Sequence, residues 1–112
     1  MAVRSKRLGV ANTVSPAATT VYTCPAGYRT IVKSLTSRNK TASGQRAYWT
    51  ITDAGGTTLF DLNVWCATSG GTGDTVLTDC WFVLNAGEHL VVQWSGATGG
   101  VNSASGTELL LP

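Results

Sequence analysis

The chain has 112 residues, enough for one hydrophobic core and too few for two. Only 12% are charged, about half the usual share, and Gly, Ser and Thr abound, which favours strands joined by many turns over helices. No run approaches the ~20 apolar residues of a membrane-spanning helix, and no apolar segment follows the basic N-terminus, so neither a span nor a secretory signal is expected.

The placement of charge says more than the net +2. Every Lys and Arg falls between Arg4 and Arg46, and every Asp and Glu between Asp53 and Glu108. Either the molecule carries two oppositely charged faces that can meet head-to-tail, or the fold interleaves the two halves and the asymmetry vanishes in space.

Residues 1–18 read as an extended arm ahead of a β domain at 19–112. Arg4, Lys6 and Arg7 cluster, Leu8, Val10 and Val14 give scattered apolar contacts, and Pro16 interrupts any helix. Thr19 to Cys24 is the first predicted strand and Tyr28 to Asn39 the second. Between them Pro25 presets φ for a turn, and Gly27 accepts φ > 0. In YRTIVKSLTSRN neither alternate face is cleanly polar, so periodicity leaves the buried side open. After a polar turn at Asn39 to Gly44, Gln45 to Asp53 alternates well: Ala47, Trp49 and Ile51 against Tyr48, Thr50 and Thr52. Asp53-Ala54-Gly55-Gly56 is a hairpin signal, and Thr57 to Trp65 returns with Leu59, Phe60, Leu62 and Val64.

Ala67 to Asp74, ATSGGTGD, is a Gly-rich loop. It lacks the Lys-Ser/Thr ending of a phosphate-binding loop, and no helical pattern follows it. Strands are then expected at Thr75 to Leu84, Glu88 to Ser95 and Val101 to Leu111, with a flexible turn at Gly96 to Gly100 and a bulge or bend at Gly106. The stretch WFVLNAGEHLVV from Trp81 repeats the design of VYTCPAGYRTIV from Val21: strand, x-Ala-Gly corner, strand. The fold class that follows is all-β, an antiparallel β-sandwich or jelly roll of seven to eight strands with an extended N-terminal arm.

Chemistry is sparse. Cys24, Cys66 and Cys80 form no CxxC and no His-rich cluster, so no zinc site is expected, and their odd count fits a reducing cytoplasm. A Cys66–Cys80 bridge is allowed but not implied. His89, the single histidine, sits just after a turn with no nucleophile motif near it, and the carboxylates are scattered. No catalytic residue, metal ligand or cofactor is assigned. Nucleic-acid binding would rest on the basic arm alone, without interleaved aromatics. Of Trp49, Trp65, Trp81 and Trp94, core packing is expected in general, with Trp65, beside the Gly-rich loop, the first candidate for an exposed role.

Val21-Tyr22-Thr23-Cys24-Pro25-Ala26-Gly27, followed by Thr30-Ile31-Val32-Lys33-Ser34-Leu35, resembles the opening of small β-sandwich virion proteins of tailed bacteriophages. Leu84, Ala86, Gly87, Glu88 and Leu90 resemble the later L-x-AG-E-x-L segment of that group, so the likeness covers Val21 to Val92. The resemblance implies a non-enzymatic virion protein assembled in the bacterial host cytoplasm. A capsid decoration or cement protein is the leading expectation, with a tail, neck or baseplate component next. A carbohydrate- or receptor-binding module using Trp65, the Ala67–Asp74 loop and Tyr48 is the rival from another class. The expected partners are the major capsid protein or other virion proteins, and further copies of the chain. The expected contact residues are Arg4, Lys6, Arg7, Leu8, Val10 and Trp65.

Overall fold

The computed structural model describes residues 3–12, 18–39, 44–66, 75–95 and 100–112. The side chains of Val3, Arg4, Asn12, Trp65, Thr75, Val76 and Leu77 lie outside that description, as do the Gly-rich segment 67–74 and the turn at 96–99. The strands are β1 (Val3–Asn12), β2 (Thr19–Thr23), β3 (Tyr28–Asn39), β4 (Gln45–Thr52), β5 (Thr58–Cys66), β6 (Thr75–Leu84), β7 (His89–Trp94) and β8 (Gly100–Leu110).

These strands form two four-stranded sheets, β1-β8-β3-β6 and β2-β7-β4-β5. All neighbours are antiparallel. The pairs β4/β5, β3/β6, β2/β7 and β1/β8 form a single long ribbon whose tip is the β4–β5 turn. Partners stand about equally far from that tip along the chain, as in Trp49↔Leu62, Thr30↔Leu84, Tyr22↔Leu90 and Val3↔Leu109. The ribbon is rolled so that β8 also meets β3 and β7 also meets β4. This is the jelly-roll arrangement, and the eight strands agree with the sandwich expected from the sequence.

At the tip, Asp53 accepts the Gly56 N–H on its carbonyl, and its Oδ1 accepts the N–H groups of Gly55 and Thr57, both at 2.9 Å. The side chain thereby closes the turn that its position in an Asp-x-Gly-Gly sequence suggests. The two Ala-Gly corners carry the ribbon from one sheet to the other. Tyr28 N–H donates to Pro25 O at 3.1 Å, and Glu88 N–H donates to Asn85 O at 3.0 Å. Gly27 and Gly87 have φ of 82° and 86°, values that a side chain resists. The corners also bond to each other: Cys24 N–H donates to Glu88 O, and Gly87 N–H donates to Cys24 O, both at 3.0 Å.

The core lies between the sheets. Val32, Leu35, Leu84 and Ala104 come from the first; Tyr22, Trp49, Ile51, Leu90, Val92 and Trp94 come from the second. Trp49 satisfies its indole N–H by donating to Ser37 Oγ across the sheets at 2.8 Å. The ambiguous alternation of β3 has a local cause. A bulge between Val32 and Ser34 changes the buried set from Thr30 and Val32 to Leu35, Ser37 and Asn39. Gly106 lies opposite that irregularity, where a Cβ would collide with the Ile31 carbonyl.

Residues 3–12 lie in the stretch expected to form the extended arm. They form β1, extended as expected but paired with β8 as an edge strand of the first sheet. Leu8 is 9% exposed and belongs to the core cluster, so it fills this molecule's own interior rather than a groove on a neighbour. The side chain enters the interior at a bulge between Arg7 and Gly9, which hid the strand's alternation in the sequence.

Two substitutions test this architecture by urea denaturation. Leu8→Ala is expected to lower stability by about 3 kcal/mol, whereas a free arm would leave it unchanged. Gly87→Ala is expected to cost about 1 kcal/mol through its backbone alone, because the added Cβ meets nothing closer than Ala54 Cβ at 3.8 Å.

Candidate interaction surfaces

Rolling the ribbon gives the sandwich two different lateral sides. On one, β1 lies beside β2, close enough that a Cβ on Gly9 would collide with the Val21 carbonyl. On the other, β5 lies beside β6, and the rings of Phe60 and Phe82 approach to 4.7 Å at an interplanar angle of 49°. These four strands are the sheet edges, where a further strand or another subunit can add.

The β1–β2 side is basic. Its strands contain Arg4, Lys6 and Arg7 and no carboxylate. Arg7 and Val10 are exposed. Lys6 is half-exposed and reaches inward, its Nζ 3.6 Å from Oε1 of Glu108. Glu108 is 1% exposed, and its Oε2 accepts the Tyr22 hydroxyl at 2.5 Å. The Tyr22 oxygen also lies 2.7 Å from Thr30 Oγ1. This buried group joins β1, β2, β3 and β8, and supplies the compensation that a carboxylate needs away from water. Burial first, and then the bond to Glu108, push the Tyr22 phenol above its ordinary value of 10.0.

The β5–β6 side is apolar and acidic. Leu59 and Phe60 on β5, and Trp81 and Val83 on β6, are exposed. The charged residues of these two strands are Asp61 and Asp79, both exposed. Trp81 is 73% exposed and is the tryptophan displayed to solvent among those with described side chains, whereas Trp49 and Trp94 are buried. Lys33, on the adjacent β3, stands over the Trp81 ring with Nζ 5.3 Å from its centroid. The side chain of Trp65, the tryptophan expected from the sequence to be exposed, lies outside the described residues. The missed signal is in β6, where Phe82 and Leu84 face inward and place Trp81 and Val83 outward.

The expected contact residues are therefore divided. Lys6, Arg7 and Val10 share the β1 edge, Leu8 is internal, and the side chains of Arg4 and Trp65 are not described. Elsewhere, His89 Nδ1 lies 2.7 Å from Thr23 Oγ1, a cross-strand pair between β2 and β7. Among the described residues no three His, Cys, Asp or Glu side chains are grouped to hold a metal ion. Among the described residues Cys24, Cys66 and Cys80 are not joined in a disulfide, and burial raises the thiols of Cys24 and Cys80 above the ordinary cysteine value.

No protein-family model matches the chain, and no curated protein is similar to it. Among solved structures it is similar to a pentameric capsid protein from metagenomic phage sequences, at 24% identity and a TM-score of 0.40. It is also similar to chains of infectious bursal disease virus, of the Gx strain at 17% and 0.41 and of the Gt strain at 14% and 0.36. The matches cover 96%, 96% and 95% of this chain, which spans 61%, 32% and 31% of those chains.

The Tyr22–Glu108 bond sets an alkaline limit. The folded state keeps a phenol proton that the unfolded chain releases near pH 10, so this stabilisation is complete below that pH and falls as pH rises. Urea titrations between about pH 9 and 11 are expected to show a shallower loss of stability in Tyr22→Phe than in the parent.

Proposed function

We propose that this chain is a non-enzymatic structural protein of a bacteriophage particle, of the capsid-decoration kind. Its basic edge strand would meet acidic groups of an adjoining subunit on the head. One observation carries the proposal. The residues that resemble phage virion proteins, Cys24 to Gly27 and Leu84 to Glu88, are those that build the paired corners of the jelly roll. The resemblance therefore lies in the elements that determine this topology rather than in incidental composition. Viral coats use the same architecture, as do lectins and cupins, so the surface must separate these uses. Here the exposed Leu59, Phe60, Trp81 and Val83 lie on the edge strands β5 and β6, and the exposed Arg7 on the edge strand β1, as expected of a protein that works by packing beside others.

The test is co-sedimentation with heads of a phage that encodes this chain, prepared without it, across a salt series. Because β1 carries the core residue Leu8, the variant of choice is Arg7→Glu, whose side chain is exposed. Salt-sensitive binding of the parent, weakened about tenfold in Arg7→Glu, is the expected outcome. Absence from heads with assembly onto tails overturns the decoration reading, and glycan binding by Trp81 without particle binding overturns the structural one.

A further inference from the structure

We infer that the adjoining subunit met by the basic edge is a second copy of this chain, its β5–β6 side seated against the β1–β2 side of its neighbour. This rests on the structural reading above and names the partner of the same surface.

Three features fit the two sides to each other. First, the charges are complementary: β1 offers the exposed Arg7, while β5 and β6 offer Asp61 and Asp79. Pairing like sides instead would set Asp79 near Asp79 or Arg7 near Arg7, so charge favours a heterologous contact over a two-fold one. Second, apolar side chains are exposed on both: Val10 on β1, and Leu59 and Phe60 on β5 with Trp81 and Val83 on β6. Trp81 is large, rigid and mostly solvated in the single chain, the kind of residue that anchors an interface.

Third, the directions agree. In an antiparallel sheet of four strands the two edges run opposite ways, as β1 and β6 do here. Rotating a copy about an axis along the strands preserves direction, so its β1 arrives antiparallel to the β6 that receives it. Each of these strands is 10 residues long. The same relation holds for β2 and β5 in the second sheet. Repeating a heterologous contact closes into a ring when the rotation divides the circle.

Sedimentation velocity of the purified full chain, with circular dichroism confirming the fold of each variant, tests the inference. The parent is expected to form concentration-dependent oligomers. Trp81→Ala is expected to weaken self-association about thirtyfold. Arg7→Glu and Asp79→Arg are each expected to weaken it about tenfold, and the two together in one chain to restore it. A monomeric parent overturns the inference, as does failure of the charge swap to restore association. Head co-sedimentation of the same variants separates the two claims. Binding lost in Arg7→Glu and not regained in the swap places the basic edge on the head lattice, which keeps the structural reading and overturns this contact. Self-association that obeys the swap without any particle binding keeps the contact and overturns the structural reading.

Discussion

Two hydrogen bonds between the Ala-Gly corners hold the ribbon together where it changes sheet. Cys24 exchanges main-chain bonds with Glu88 and Gly87, so both chains of the ribbon turn at one place. A corner on one chain alone would shear β2 from β7 and β3 from β6, because strand register is shared across the bend. The positive φ of Gly27 and Gly87 makes that coincident turn cheap. With both chains bent together, β8 is brought beside β3 and β7 beside β4, and the core closes between the sheets.

The interior near these corners is not wholly apolar. Tyr22, Thr30 and Glu108 form a polar knot to which Lys6 of β1 is tied. At the opposite end, Asn39 Nδ2 donates to Cys66 O, and Gln45 Nε2 donates to Asn39 Oδ1, each at 3.2 Å. Such groups cost free energy when buried alone and specify alignment when satisfied, so they fix how one sheet sits on the other. Lys6 and Leu8 give β1 both a polar and an apolar tether, which is why the segment is part of the sandwich.

The same rolling settles what becomes of the charge asymmetry. Each pair of the ribbon joins a strand of the basic half to one of the acidic half, so the interleaving expected of a sandwich occurs within the sheets. At the edges it does not. β1 and β2 both come from the first half, while β5 and β6 both come from the second, leaving one lateral side basic and the other acidic with exposed aromatics. Such a pair of unlike sides suits repeated packing against neighbours.

The sequence by itself determined seven strands near their observed limits, the Asp53 hairpin and both corners. Those features rest on local physics: alternation over four to twelve residues, the fixed φ of proline and the freedom of glycine. Trp49 was legible as core because its strand alternates without interruption. Only the tertiary structure decided the rest. Bulges after Arg7 and Val32 break the period of two, so β1 and the buried side of β3 could not be read from pattern. Partners such as Lys6 and Glu108 are a hundred residues apart, and a local window contains no trace of their meeting. The alternation of β6 turns Trp81 outward, but that β6 is a sheet edge is a property of the rolled ribbon that no single strand encodes.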